Sequence, residues 1–501
     1  MAGDITSSGA QYPTVLGLIY VFNLIVGTGA LAMPKSFHSA GWLLSIIFLV
    51  ILAFISYLTV TFVTEAMAVA NFKLKMGRNN KIRTTFARRH TFLGWKPIRH
   101  KKDTIVYENN EEQPLLDQED DSDGNANKLY DITERVEMGH MASLFFNKVG
   151  VLFFYICIIV YLYGDLAIYG AAVPKSLRNL ACTTNLTDTN RTANDDDICW
   201  PGSDISRKNA YRIFIVVFAL VLGPFTFFNV QKTGYLQIFT SVFRWTAFTI
   251  MVVLTAIRLS HGEGKGHPPV FNFSGIPNLF GVCVYSFMCH HSLPSLVTPI
   301  KNKNQIFNLL AADYFLILLF YALLSFTAIF AFDEINDVYT LNFFPNSNSD
   351  SQQLITDSKF LQYFLLLFPV FTLSTNFPII AVTLRNNLKT LFYNPEKPYH
   401  WFIDRIFFPL LAIIPPLIIA IITDEVEFLV GITGSYAGSG IQYIVPALLV
   451  YFARKEEFLT FNPLPNNKKS MFKSKYWVWF VMVWSAFCLI FVTANHVILK
   501  S

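Results

Sequence analysis

Two stretches of this chain combine glycine, hydroxyl and proline in a way that interrupts an apolar helix. They are Asn23-Leu-Ile-Val-Gly27-Thr28-Gly29-Ala-Leu-Ala-Met-Pro34 and Asn278-Leu-Phe-Gly281-Val-Cys-Val-Tyr285-Ser286-Phe-Met-Cys-His290-His291-Ser292-Leu-Pro294. Unwinding a helix inside a bilayer leaves amides and carbonyls that lipid cannot satisfy, so a break persists only where it is buried in protein or lines a polar cavity. The freed amides of a half-helix N-terminus favour a carboxylate, and glycine lets a ligand approach the backbone. The chemistry is therefore recognition of a small solute, by Asn23, Gly27, Thr28 and Gly29 on one side and by Gly281, Tyr285 and Ser286 on the other. Small residues also let membrane helices pack closely, and that reading stands beside the first.

Two charges fall near the middle of apolar runs, Asp165 and Arg244. A lone charge there costs at least a few kcal/mol, so each needs a partner. Arg244 is expected to point inward and pair either with Asp165 or with carbonyls of the first break. The rival reading has either residue closer to an interface and snorkelling. His290 and His291 could couple transport to protons, but they are read first as interfacial residues at the cytosolic end of a half-helix.

Helices must position these groups. The chain has 501 residues, 53% hydrophobic and 15% charged, against roughly 25% charged in a soluble domain. Eleven apolar runs are long enough to cross a membrane, near 14–38, 42–70, 144–172, 210–229, 234–258, 277–300, 307–332, 359–384, 402–423, 427–453 and 476–499. The expectation is an all-α multi-pass membrane protein with eleven transmembrane helices. Its order is a 1–13 tail, helices 1–2 over 14–70, a charged loop over 71–142 and helices 3–5 over 143–258. Helices 6–10 over 259–453, a 454–475 loop and helix 11 over 476–501 complete it. Spans 1–5 and 6–10 overlay with a broken helix first in each set. Because five is odd, the second set enters from the opposite face, which gives inverted five-helix repeats with broken helices 1 and 6.

Lys/Arg concentrate in the 71–142 and 454–475 loops, which should both be cytosolic, with the N-terminus. Residues 73–102 hold eleven Lys/Arg and no acid, whereas 103–123 hold nine Asp/Glu and no base, so disorder is expected at least in the acidic half. The basic half is either a solvated topology signal or a segment attracted to anionic lipid. Glu111-Glu-Gln-Pro-Leu115-Leu116 resembles a dileucine sorting signal for endosomal or lysosomal membranes. Sequons at Asn185, Asn190 and Asn272 fall in the 173–209 and 259–276 loops, on the opposite, luminal side, where glycosylation would occur. Cys182 and Cys199 share the first of these loops and would form a disulfide in an oxidising lumen. The other four cysteines lie in apolar runs and show no metal-ligand spacing.

The pattern Asn23…Gly27-Thr28-Gly29-Ala-Leu-Ala-Met-Pro34…Ala40-Gly41-Trp42, with Gly431-Ile-Thr-Gly434-Ser-Tyr-Ala-Gly438 and Ile441-Gln-Tyr-Ile-Val-Pro446, resembles the amino acid/auxin permease family. The resemblance implies an eleven-helix permease fold. In relatives with this fold sodium can lie between the first break and hydroxyls of span 8, which here points to Thr372, Ser374 and Thr375 beside Asn376. In some proton-coupled relatives a basic residue on span 5 resembles a fixed substitute for sodium, as Arg244 would be. Coupling by sodium, by protons or by neither stays open.

The resulting expectation is a secondary active transporter of amino acids or similar small zwitterions, working by alternating access. It would lie in the bilayer, on an endosomal or lysosomal membrane rather than the plasma membrane, with sorting adaptors as partners of its cytosolic loop. No tightly bound cofactor and no nucleic acid are called for. The alternative is a sensor or scaffold of the same shape that binds ligand without net transport. An enzyme is the remotest reading, because no nucleophile-base pair, metal cluster or phosphate loop is visible.

Overall fold

A computed structural model describes residues 13–92, 130–182, 195–200, 202–227, 234–344, 356, 358–392, 400–460, 466 and 468–498. Fifteen α-helices run through them. They are α1 (Thr14–Ile25), α2 (Thr28–Ala40), α3 (Trp42–Phe92), α4 (Met138–Phe145), α5 (Lys148–Ala181), α6 (Arg207–Leu222), α7 (Gly234–Ser260), α8 (Ile276–Ser286), α9 (Leu293–Val297), α10 (Ile306–Ala331), α11 (Lys359–Phe392), α12 (Phe408–Ile422), α13 (Val426–Thr433), α14 (Val445–Thr460) and α15 (Lys475–Ile498). Helix starts follow familiar chemistry. Asn147 and Ser206 cap α5 and α6 by accepting from the amides of Gly150 and Asn209, while Pro277, Pro294 and Pro409 sit in first turns where no amide proton is needed.

Among the described residues nine helices are long and apolar enough to cross a membrane, or ten when α1 and α2 count as one span bent by 53°. The chain is thus an all-helical multi-pass membrane protein. The expected sixth span, 277–300, is divided into α8, a 3-10 turn His290–Ser292 and the five-residue α9, each too short to cross alone. The second helix does not stop at residue 70. It continues to Phe92, well into the loop expected to begin at 71. From Tyr130 onward that loop is also ordered against the bundle, with Tyr130, Ile132, Val136 and Met141 buried.

Side chains such as Leu220, Ile422 and Ile490 face outward, as the lipid boundary requires, and polar groups concentrate inside and at the two ends. At one end Lys73 pairs with Glu456 at 2.6 Å, and Arg454 holds Glu65 through Nε to Oε1 (2.8 Å) and Nη2 to Oε2 (2.7 Å). At the other end Lys175 meets Asp337 (2.8 Å), and Arg178 meets Asp195 (3.0 Å) and Asp424 (3.4 Å). The Cys182–Cys199 disulfide is formed at this second end, with Cα atoms 4.5 Å apart. Gly41, at φ +91°, turns the chain here so closely on residues 269–271 that a Cβ would meet three of their backbone atoms at 2.8 Å.

Inside, backbones touch where glycines face each other. A Cβ on Gly281 would sit 1.9 Å from the Gly431 carbonyl oxygen, and one on Gly434 1.9 Å from that of Gly281. This seam clamps α8 to the α13 segment, which runs on through two π-helical turns, Gly434–Gly438 and Gly440–Ile444.

Candidate functional site

The first break lies at Val26 and Gly27, both out of helical conformation. Losing the helix there orphans carbonyls at the end of α1, and side chains from distant helices meet them. Arg244 of α7 donates through Nη1 to the carbonyl oxygens of Asn23 and Val26, the latter at 2.8 Å. Tyr321 of α10 donates to Ile25 O at 3.1 Å. The second break, after Ser286, is treated the same way with neutral donors: Tyr321 reaches Ser286 O at 2.9 Å and Tyr314 reaches Phe287 O at 3.2 Å. One phenol thus serves both breaks. Of the two partners expected for Arg244, the structure supplies the span 1 carbonyls and not Asp165.

Between the breaks lies a cavity of about 120 Å³, smaller than the ~300–1,000 Å³ of sites for drug-sized ligands. Asn23, Gly27, Thr28 and Gly29 line it from the first break, and Tyr285 and His291 from the second. Opposite them stand Tyr161, Asp165 and Tyr169 of α5, and Asn376 of α11. The α5 residues recur every four positions and so share one helix face. Asp165, 4% exposed, accepts from the Tyr285 hydroxyl through Oδ1. Because that bond uses the only phenolic proton, Thr28 Oγ1 donates in turn to Tyr285 at 2.9 Å. A chain Thr28, Tyr285, Asp165 therefore joins both breaks to the third span.

The remaining expected residues fall elsewhere. Gly281 belongs to the seam with Gly431, and Ser286 fills the space over Gly29, its Oγ 2.2 Å from where a Gly29 Cβ would stand. Neither lines the cavity. Thr372 and Thr375 donate to Phe368 O (2.9 Å) and Thr372 O (3.0 Å) in their own helix, the usual habit of membrane hydroxyls. With Ser374 they leave the cavity wall to Asn376. His290 and His291 are not interfacial. They lie within the break at mid-segment, His290 fully buried with Nε2 2.9 Å from Thr59 Oγ1, and His291 in the cavity wall. The interfacial expectation put them at the outer end of a half-helix, whereas the break itself extends from Ser286 to Leu293 and takes both histidines in. Asn272 is exposed, and its Nδ2 donates to Ser39 O at 3.0 Å. Asn185 and Asn190, and the Glu111, Leu115 and Leu116 motif, lie outside the described residues. Tyr161 and Tyr169 were not singled out from the sequence as site residues, although their four-residue spacing about Asp165 carries the signal.

Paired breaks thus face a small polar cavity inside an all-helical, multi-pass membrane protein. The chain belongs to the transmembrane amino acid transporter protein family, whose profile matches residues 14–88 and 128–497. Among individual relatives it is similar to Transmembrane protein 104 of Homo sapiens, 52% identical over 509 residues that cover 99% of both chains. The protein of that name from Gallus gallus is 52% identical over 512 residues, 100% of both. The Transmembrane protein 104 homolog of Dictyostelium discoideum is 34% identical over 522 residues, 99% of both.

Proposed function

We propose that this protein is a secondary active carrier of an amino acid or similar small zwitterion, working by alternating access around the paired breaks. One observation carries the reading: a cavity bounded by Gly27, Thr28 and Gly29 at the N-terminus of α2 and by Tyr285 at the second break. No side chain caps α2, so its first amides and dipole suit a carboxylate. Family membership supports the same substrate class.

The segment Ile276 to Val297 is, on this reading, the sixth span and brings the count to eleven, and helices 1–5 and 6–10 form inverted repeats. The position of one break at the head of each set supports the assignment. The end bearing Lys73, Arg454 and the basic loops is cytosolic, together with the 1–13 tail, and the end bearing the disulfide is luminal. Glycosylation of the luminal sequons and sorting to endosomal or lysosomal membranes through Glu111, Leu115 and Leu116 belong to the same proposal.

Gly27 provides the test. A Cβ built there meets nothing closer than Ile25 O at 4.0 Å, so a larger side chain would enter the cavity without straining the fold. Purified protein in liposomes is expected to accumulate a labelled amino acid, and Gly27→Leu to reduce uptake at least tenfold while keeping the parent's unfolding temperature. Binding without accumulation in the parent protein would overturn the carrier reading.

A further inference from the structure

The opposite charges on the cavity wall do not meet. That wall holds one carboxylate, Asp165, and one permanent cation, Arg244, and the two do not pair. Arg244 spends its Nη1 on the carbonyls of Asn23 and Val26, the negative end of a half-helix. Among the described residues Asp165 makes no ion pair and takes one hydrogen bond, from Tyr285 to Oδ1. Oδ2 is left to the cavity that Asp165 lines. A carboxylate this deeply buried exists either protonated or matched by a cation. The surroundings suit a cation: the rings of Tyr161 and Tyr285 lie 6.1 Å apart and those of Tyr161 and His291 5.4 Å apart, and Tyr169 stands one turn along α5. Phenol faces attract an ammonium.

Building on the carrier reading, we propose that Asp165 is the specificity residue for the substrate's ammonium group and that the ammonium displaces a proton from it. In the empty site Oδ2 carries the proton and the side chain is neutral. On binding, the O–H bond breaks, the proton leaves to water, and the carboxylate pairs with the incoming R–NH₃⁺, so one positive charge enters as one departs. Arg244 holds its charge throughout and fixes the first break. The other titratable groups on the cavity are Tyr20 of α1, Tyr161 and Tyr169 of α5, Tyr285 of α8 and His291 within the second break, while α6, α12 and α13 bring none. A ligand needs a protonated amine on this account, and its affinity falls with acidity because the proton competes for the same oxygen.

The test uses the full chain in lipid nanodiscs and three probe sets: the standard amino acids, their N-acetyl forms, and the corresponding decarboxylated amines. Calorimetry in buffers of different ionisation enthalpy counts protons. Expected are binding only by probes with a free amine, one proton released per ligand, and affinity falling about tenfold per pH unit once Asp165 is mostly protonated. Asp165→Asn, which keeps an oxygen for Tyr285, should weaken binding by at least about thirtyfold and abolish proton release. Equal binding by N-acetyl probes, or unchanged affinity and proton count in Asp165→Asn, overturns the inference and leaves the carrier reading intact. If no probe binds the parent and no labelled amino acid accumulates in liposomes, both fall.

Discussion

Two carboxylates sit inside this bundle in opposite conditions. Glu65, fully buried, receives both arms of the Arg454 guanidinium and the Ser470 amide at 3.0 Å. Arg454 in turn donates to the carbonyls of Phe472 (3.1 Å) and Lys473 (3.2 Å) and lies over the Phe62 ring. Asp165, also buried, has among the described residues one phenol and no cation. The first arrangement is complete and joins α3, α14 and the segment ahead of α15. The second is incomplete and opens on a cavity. Burial alone therefore does not mark a functional acid; what marks it is a missing partner beside available space.

Four substitutions, with Gly27→Leu as a control for the second, probe that contrast in descending order of effect on stability. Glu65→Ala strands Arg454 in the bundle and should cost about 3–5 kcal/mol, read as a fall in unfolding midpoint or loss of monodisperse protein in detergent. A variant as stable as the parent would break the comparison. Gly29→Ala drives a methyl to within 2.2 Å of Ser286 Oγ and 2.8 Å of Ser286 Cα, so the helices must part, at about 1–3 kcal/mol. Gly27→Leu, two residues earlier, should show no such penalty. Tyr321→Phe strips a donor from two carbonyls and should destabilise by about 1–2 kcal/mol in chemical unfolding. Asp165→Asn is expected to unfold no earlier than the parent, since it removes an unpaired buried acid, while its ligand affinity collapses.

The sequence announced both breaks, because glycine and proline inside an apolar run have few other uses. It did not say which of the cavity-lining glycines leaves room for a side chain. Gly27 lies in the unwound break and a Cβ there opens on space, whereas a Cβ on Gly29, in the first turn of α2, would meet Ser286, and only the packing of α2 against α8 decides this. The same limit applied to Arg244. Its need for a partner could be read from its depth, but the choice between Asp165 and the span 1 carbonyls depended on how α7 is turned. Tyr161 and Tyr169 were legible through their spacing about Asp165, although as aromatic residues on an apolar helix they pass for core. The histidines were misplaced because the length of the second break was not apparent.

Tyr321 owns a single hydroxyl hydrogen, and two oxygens from separate halves of the chain lie within its reach, Ile25 O and Ser286 O. Should those halves slide apart, the single hydrogen could follow only one of the two oxygens. The inner ends of α1 and α8 are consequently pinned to α10 like two leaves on one hinge pin. Whatever swing exposes the cavity to either side must carry all three together.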